Sequence, residues 1–342
     1  MEYFNASDFL LLTADLPVID VRSPSEFAAG HIPSAVNVPL FADDERAIVG
    51  TIYKQKGQQS AMDKGMEFVE PKMAALANAA KSIAIGDKVG VYCWRGGMRS
   101  NRTAWWFEEN GLQCSVLTGG YKAYRNWALQ DFGKPKNLVV LDGPTGSGKT
   151  EILHALKAAG EQIIDIEGFA NHKGSAFGGI GLGKQPSSQQ FQNDLHHELA
   201  QLDTEKRIWI EREGMTVGKV YLPQPLWHKM RESTAVAIEV PLSVRVERLV
   251  KDYGSAPKDL LENSIRKLQQ KLGGQNMNAA LELLKENELD EVAKVLLNYY
   301  DKRYSFSKEK YLERKPLIIE LDSNDANVNA KRLITLANEN GL

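Results

Sequence analysis

The sequence predicts an α/β protein of two domains, each built on a parallel sheet. The length of 342 residues corresponds to about two domains. Short apolar runs with strand character alternate with amphipathic helical stretches, which is typical of parallel sheets. Two of these runs, at 88–92 and 138–141, are each followed by a glycine-rich loop and a helix. Because active sites in such sheets form at the carboxyl ends of strands, we expect an anion-binding site in each domain.

Composition limits the class of protein. Hydrophobic residues make up 43% of the chain and charged residues 25%, as in ordinary globular proteins. The net charge of −2 gives no global basic field for nucleic acid, although a summed charge says nothing about local basic patches. Two cysteines and the lack of an apolar signal region predict a reducing, cytoplasmic location. No run of 18 apolar residues occurs, so we expect no membrane contact.

The first predicted domain covers residues 1–133. We expect strands at 16–22, 88–92 and 116–117, and a turn followed by a short strand within 30–39. A helix after the third strand should end near Asn110, and Ser25 is expected to cap a short helix after the first strand. The stretch 50–59 is polar and basic and contains glycine, which fits either a substrate-facing loop or a solvated surface loop.

The third strand leads to Cys93, and the loop after it forms the first predicted anion site. Two glycines let backbone N–H groups converge, and a helix begins directly afterwards. Such surroundings lower the pKa of a cysteine and favour its nucleophilic thiolate, while Arg99 can hold an oxyanion with two N–H groups. A buried, inert thiol is the alternative for Cys93, and Cys114 is expected only to pack in the core. The remaining loop positions of this candidate site are Arg95, Gly96, Gly97 and Ser100.

The second predicted domain covers residues 134–342 and opens with a phosphate-binding motif. The strand 138–141 leads into a G-x-x-x-x-G-K-[ST] sequence, the P-loop or Walker A motif, and a helix follows at 150–159. Backbone N–H groups, the helix N-terminus and the lysine charge favour a phosphate or diphosphate, and the threonine hydroxyl suits Mg²⁺. The predicted phosphate-binding residues are Gly143, Gly146, Ser147, Gly148, Lys149 and Thr150.

Acidic residues follow another strand of this domain. Strands are expected at 162–166, 207–211, 235–240 and 317–321. An acid at a strand end beside a P-loop is the usual second contact of Mg²⁺, which is a role for Glu211 or Glu213. A salt bridge to Arg212 or Lys149 explains these acids equally well.

Three other stretches of the second domain bear on its architecture and its ligand. Residues at about 255–305 are expected to form a helical part. The glycine-rich loop 167–179 suits either ligand contact or mobility. Arg245 and Arg248 share a predicted helical face, from which they would either reach a phosphate or pair with neighbouring acids.

The first domain resembles the rhodanese family, whose members carry sulfur as a cysteine persulfide. Many sulfur-transferring members place four residues between the cysteine and the arginine, whereas five lie between Cys93 and Arg99. Five is the spacing in a related class of cysteine phosphatases, and the longer loop favours a larger anion with phosphate-like oxygens over thiosulfate. The resemblance rests on segments 19–22, 26–27, 30–35 and 92–100.

With both loops and the segment 167–178, the whole chain resembles the bacterial tRNA 2-selenouridine synthase family. The resemblance implies a transferase that replaces sulfur with selenium at C2 of wobble 2-thiouridine in tRNA. It implies selenophosphate and geranyl diphosphate as substrates, S-geranyl-2-thiouridine as an intermediate, and an S-selanylcysteine at Cys93. The implied partners are the anticodon loop of tRNA and an enzyme that produces selenophosphate. A requirement for Mg²⁺ or a nucleotide stays open.

Two other functions fit the same residues. One is a cysteine-dependent phosphatase or a plain sulfurtransferase, regulated by a nucleotide-binding P-loop domain. The spacing permits a phosphatase, although Tyr92 stands where those enzymes usually have a histidine. The other is a non-catalytic P-loop protein that binds tRNA. Phosphate release from an aryl phosphate would favour the first, and an unreactive Cys93 would favour the second.

Overall fold

The computed structural model describes residues 1–134, 136–311 and 315–342. The chain divides into two compact units, Met1–Asp131 and Phe132–Leu342. Each unit contains a five-stranded parallel sheet, which confirms the predicted α/β fold class. Among the described helices, none has the length and apolar character needed to cross a membrane.

The first unit places Cys93 after the middle strand of its sheet. Its strands are β1 (Glu2–Phe4), β2 (Val18–Asp20), β3 (Val36–Asn37), β4 (Lys88–Tyr92) and β5 (Gln113–Leu117). Its helices are α1 (Ala6–Leu12), α2 (Pro24–Ala29), α3 (Asp43–Lys56), α4 (Gln58–Val69), α5 (Met73–Ile83), α6 (Met98–Glu109) and α7 (Gly120–Asp131), with a 3₁₀ turn at Glu70–Lys72. The sheet order is β1-β5-β4-β2-β3. Alternate β4 side chains enter two cores, Val91 one and Tyr92 the other, so β4 is covered on both faces.

Two local predictions for this unit are wrong. The stretch 50–59 is not a loop, because α3 and α4 run through it and only Gly57, with φ of +85°, separates them. Ser23, not Ser25, is the N-cap of α2, and its backbone N–H donates to the Glu26 carboxylate at 3.2 Å. Ser25 instead donates its hydroxyl to Asp43 at 2.6 Å, which ties the start of α2 to the start of α3.

The second unit places the P-loop after the middle strand of its own sheet. Its strands are β6 (Leu138–Asp142), β7 (Gln162–Ile164), β8 (Ile208–Glu211), β9 (Thr216–Val217), β10 (Val220–Tyr221), β11 (Thr234–Glu239) and β12 (Leu317–Glu320). Its helices are α8 (Lys149–Ala158), α9 (Ile166–Ala170), α10 (Ser188–Ala200), α11 (Gln224–Glu232), α12 (Leu242–Tyr253), α13 (Lys258–Lys267), α14 (Gln269–Leu272), α15 (Gly274–Glu286), α16 (Leu289–Tyr311) and α17 (Ala326–Glu339). The sheet order is β12-β11-β6-β8-β7, and β9 and β10 form a separate antiparallel hairpin.

The helical part of this unit forms a core of its own. Helices α13 to α16 pack leucines and Met277 against one another and against Phe177 from the loop before α10. The predicted loop 167–179 is partly wrong, because its first residues belong to the short helix α9. That helix begins where the Asp165 carboxylate accepts the backbone N–H of Gly168 at 2.7 Å.

Candidate functional site

Cys93 lies directly after β4, buried to 3% exposure, beside the first turn of α6. Its Sγ lies 3.3 Å from the hydroxyl oxygen of Ser100. Burial opposes ionisation of the thiol, but hydrogen bonds from Ser100 and the charge of Arg99 outweigh it, so the pKa of Cys93 falls below its ordinary value. The backbone N–H of Arg95 also bonds the sulfur, while the Arg95 side chain is exposed. The loop therefore favours a thiolate at a strand end.

Glycines fix the shape of this loop. Gly96 has φ of +60°, and a Cβ there would come within 2.6 Å of the Gly119 nitrogen and 2.7 Å of the Leu117 carbonyl oxygen. The loop thus lies against the turn between β5 and α7, where the Tyr121 N–H donates to the Cys93 carbonyl oxygen at 2.8 Å. Gly97 is exposed and directly precedes α6. This close packing of the loop against a second glycine pair, Gly119–Gly120, was not predicted, although both glycines can be read in the sequence.

Arg99 is engaged by a carboxylate. Its guanidinium donates to the Glu26 carboxylate at 2.7 Å. Burial by itself would raise the pKa of Glu26, but this hydrogen bond outweighs burial and lowers the pKa below its ordinary value. The same arginine lines a cleft of about 700 Å³ whose lining also includes the cations Arg46 and Lys54. An anion in the loop would compete with Glu26 for the guanidinium, so Glu26 is a residue of this site that the sequence did not identify.

The rhodanese-like segment 19–22 contributes a buried ion pair near the Cys93 loop. Arg22 is fully buried and donates from Nε to the Asp20 carboxylate at 2.9 Å. A second bond from its guanidinium reaches the Gly30 carbonyl oxygen at 2.7 Å, and its guanidinium carbon lies 4.0 Å from the centre of the Tyr121 ring. This buried pair positions the elements around Cys93 and does not contact the thiol.

The P-loop joins β6 to α8 with a backbone that requires glycine. Gly146 and Gly148 have φ of +78° and +80°, and a Cβ on Gly148 would lie 2.6 Å from the guanidinium carbon of Arg248. Lys149 donates to the Gly143 carbonyl oxygen at 3.1 Å. The Ser147 hydroxyl is buried without a partner among the described residues. A loop with an unpartnered hydroxyl donor, Ser147, and two cations, Lys149 and Arg248, fits a phosphate group.

Two arginines of α12 hold this loop. Arg248 donates to the Gly146 carbonyl oxygen at 2.9 Å. Arg245 donates to the Thr145 carbonyl oxygen at 3.3 Å and pairs with Asp301 at 2.7 Å. Arg245 therefore pairs with an acid of α16 rather than with one of its own helix, and both arginines touch the phosphate-binding loop.

Three carboxylates meet beside Thr150. The Thr150 hydroxyl lies 3.0 Å from Glu167 and 3.4 Å from Glu211, and the Glu167 backbone N–H donates to Glu211 at 2.9 Å. Oxygens of Glu167, Glu211 and Glu213 all lie within 4.8 Å of one another. The structure thus brings both predicted acids together and adds Glu167 from α9, which the sequence did not identify because β7 carries no motif. Arg212 pairs with Asp142 at 2.8 Å, and its charge and that of Lys149 also lower the pKa of Glu213, although burial and Glu167 outweigh them.

These carboxyls resist ionisation. Burial and mutual repulsion raise the pKa of Glu167, raise that of Glu211 well above its ordinary value, and raise that of Glu213 to about 7. A divalent cation would neutralise the crowded charge, and an oxygen donor set beside a P-loop threonine is what Mg²⁺ requires. The residues present therefore fit Mg²⁺, with Thr150, Glu167, Glu211 and Glu213 as the groups that would hold it directly or through water.

The P-loop, Glu167 and Glu213 line one cleft of about 710 Å³. Cations on its wall include Lys149, Lys173 and Arg248, and aromatic rings include Trp227 and Tyr253. A cleft of this size accommodates a small phosphorylated ligand, with the anion at the loop and apolar or aromatic groups around the remainder.

Known proteins resemble the chain over both units. Residues 136–327 match the family model of the tRNA 2-selenouridine synthase AAA domain, and residues 6–126 match the rhodanese-like domain. A tRNA 2-selenouridine synthase of Sulfurovum is 35% identical over 90% of this chain and 93% of that protein, and one of Bdellovibrio bacteriovorus is 34% identical over 88% and 91%. Another, of Nitrosomonas europaea, is 39% identical over 71% of this chain, and the match spans 65% of that protein's length.

Proposed function

Since this chain belongs to the tRNA 2-selenouridine synthase family, we propose that it is the transferase that replaces sulfur with selenium at C2 of wobble 2-thiouridine in tRNA. Membership in a family of tRNA-modifying enzymes argues against the non-catalytic alternative. The observation that carries the proposal is the pairing of two anion sites of different chemistry. One has a nucleophilic thiol in its loop, and the other has a phosphate cradle beside three carboxylates.

The P-loop unit is proposed to perform geranylation. The sulfur of 2-thiouridine attacks C1 of geranyl diphosphate, the C1–O bond breaks, diphosphate leaves with the electron pair, and the N3 proton of the base passes to water. Lys149, Arg248 and the backbone N–H groups of the loop would stabilise the charge that develops on this leaving group. Glu167 and Glu211 would hold a divalent cation beside the loop, and such a cation would supply positive charge to offset that of diphosphate. The step consumes no nucleotide, so ATP or GTP hydrolysis is not part of the proposal.

The Cys93 unit is proposed to perform selenation. Selenophosphate, as an oxyanion, would bind between the loop N–H groups and Arg99, displacing the guanidinium from Glu26. The Cys93 thiolate would attack the phosphorus of selenophosphate, so that an S–P bond forms, the P–Se bond breaks and selenium leaves as hydrogen selenide. Hydrogen selenide would then attack C2 of the geranylated base and displace geranylthiolate, and water would hydrolyse the S–P bond to release phosphate. The S-selanyl group that the resemblance implies is two electrons more oxidised than selenophosphate and is not part of this step. The low pKa of the thiol supports this role because the thiolate is the form that reacts.

The proposed macromolecular partner is the anticodon loop of tRNA, whose unpaired bases can be splayed out for chemistry at a single atom. Binding should weaken as salt rises, because phosphate contacts release counterions. A contact with the enzyme that produces selenophosphate, and a cytoplasmic location, belong to the same proposal.

Mass spectrometry of tRNA nucleosides tests the proposal. The purified protein is incubated with 2-thiouridine-containing tRNA and geranyl diphosphate, then with selenophosphate. We expect S-geranyl-2-thiouridine first and 2-selenouridine after the second addition. Absence of both products would contradict the proposal, while phosphate release from an aryl phosphate or turnover of thiosulfate would favour a phosphatase or a sulfurtransferase.

A further inference from the structure

A second pocket of the first unit is apolar and has no part in the functions assigned above. It encloses about 370 Å³ and is lined by residues of α3, α4, α5 and α6. Its wall is rich in thioethers and indoles, supplied by Met62, Met66, Met73, Met98, Trp105 and Trp106. Methionine side chains adapt their shape to a ligand, and the volume is that of a site for a small molecule.

Apolar side chains at this pocket remain exposed to water. Met66 is 51% exposed, Trp105 48% and Met98 42%, and Tyr53 on the same wall is 56% exposed. Trp106, by contrast, donates its indole N–H to the Met73 carbonyl oxygen at 3.0 Å, so it is fixed as part of the wall. Exposed large apolar groups gathered around one cavity mark a binding site rather than ordinary surface.

The pocket is continuous with the Cys93 loop. Met98 and Arg99, the first residues of α6, follow the loop directly and line this pocket. Arg99 also lines the cleft that contains Arg46 and Lys54, so one guanidinium is shared by the apolar pocket and a cleft with charged side chains on its wall. Arg102, exposed on the next turn of α6, adds a second cation to the pocket. The ligand that complements this arrangement has a neutral apolar chain joined to an anionic end.

We propose that this pocket binds the geranyl group of the S-geranyl-2-thiouridine nucleotide while its C2 faces Cys93. The inference rests on the function proposed above. The chain is neutral and apolar, and the attached nucleotide brings a phosphate that Arg102 complements, while Arg99 remains for selenophosphate. During selenation the C2–Se bond forms and the C2–S bond breaks. The electron pair leaves with sulfur as geranylthiolate, which takes a proton from water, and the pocket holds the departing chain.

Direct binding tests the pocket apart from the chemistry. The neutral nucleoside S-geranyl-2-thiouridine is titrated into the full chain by calorimetry, with S-methyl-2-thiouridine as the chainless comparison. Two variants on different helices, Trp105→Glu and Met66→Glu, place charge at half-exposed positions where folding should survive. Leu11→Glu, at an 80% exposed position of α1, is the matched control. We expect the geranyl nucleoside to bind the wild type and the control, and both pocket variants to bind it at least 10-fold more weakly.

Kinetics with geranylated tRNA then separate the pocket from the proposed function. Both pocket variants should raise KM for selenation about 10-fold, with Cys93 alkylation and geranylation unchanged. If the wild type binds the nucleoside at the pocket but never makes 2-selenouridine, the proposed function fails and the pocket stands. If it makes 2-selenouridine while the variants behave as Leu11→Glu does, the pocket inference alone is overturned. If the wild type does not bind the nucleoside and both variants have lowered thermal stability, the pocket is a packing surface for another part of the chain or for a protein partner. That result would also overturn the pocket inference.

Discussion

The Cys93 loop and the P-loop share a backbone arrangement, yet the charges around them act in opposite directions. Each follows the middle strand of a parallel sheet, contains glycine of positive φ (Gly96 in one, Gly146 and Gly148 in the other) and leads into a helix. Around Cys93, hydrogen bonds and a guanidinium lower the pKa of a thiol despite its burial. Beside the P-loop, burial and repulsion raise the pKa of three carboxyls. The first arrangement favours an ionised nucleophile, and the second favours a bound cation.

The backbone and the side chains contribute different properties to the two loops. In both loops, converging N–H groups and a helix N-terminus are expected to attract an anion. The chemistry expected at each loop depends on side chains around it: Glu26 and Ser100 at one loop, Glu167 and Arg248 at the other. The two sites should therefore fail in different ways when those groups are changed.

The largest effect is expected from removing the reactive group of each loop. Cys93→Ala should lower selenation about 1,000-fold or more, because it deletes the nucleophile, and should leave geranylation intact, so that S-geranyl-2-thiouridine accumulates. Lys149→Ala should lower geranylation about 100- to 1,000-fold, since the diphosphate leaving group loses a stabilising charge. Nucleoside mass spectrometry of single-turnover reactions measures both steps.

The control for the Cys93→Ala and Lys149→Ala variants is tRNA that already carries S-geranyl-2-thiouridine. Given that substrate and selenophosphate, Lys149→Ala should still form 2-selenouridine. Loss of geranylation in Cys93→Ala, with geranylation unchanged in Lys149→Ala, would reverse the assignment of the two loops. Loss of both steps in both folded variants would mean that the loops act as one site.

A smaller effect is expected from the carboxylates. Mg²⁺ should stabilise the wild type by about 2.7 kcal/mol at 100 times its dissociation constant, which is several degrees in the melting temperature. Glu211→Gln should weaken Mg²⁺ binding about 100-fold, because a neutral amide replaces one charged ligand. Glu151→Gln, which removes an exposed acid lining the same cleft, should leave the shift unchanged. Scanning calorimetry with and without Mg²⁺ measures this.

The same experiment has a pH dependence with a defined sign. The pKa of Glu213 rises from an ordinary value of 4.5 to about 7, so its protonated form is favoured by the fold. Without metal, stability should fall as pH rises from about 4.5 through 7, because charge accumulates in the folded cluster. The Mg²⁺-induced shift should be larger at pH 8 than at pH 6. A shift that is equal at both pH values, or that survives in Glu211→Gln, would place the cation elsewhere.

The sequence was informative where a local pattern determines the structure. Strand β4 and the strand before the P-loop were predicted to within a residue, because apolar runs end in glycine-rich loops there. Helix α3 was missed, although acids in its first turn and lysines in its last turn match the helix dipole. Glu167 and Glu26 could not be identified, because each joins its site only through tertiary contacts made 17 or more residues away.

The smallest expected effect concerns Ser100, and it tests whether side chains set the character of the Cys93 loop. Ser100→Ala removes the hydroxyl 3.3 Å from Sγ and leaves the glycines, the helix start and Arg99 in place. Burial raises the pKa of Cys93 and the Ser100 hydrogen bond lowers it, so without that bond the pKa should rise by about one unit. Alkylation by iodoacetamide at pH 7 should then be up to about 10-fold slower. Thr103→Ala, which removes another buried hydroxyl from α6, should leave labelling unchanged. Cys114, whose pKa is raised to about 12 by burial, is the internal reference within each sample. A Ser100→Ala profile that overlays the wild type would show that the backbone and Arg99 alone hold the thiolate, and the contrast between the two loops would then lie in the carboxylates only.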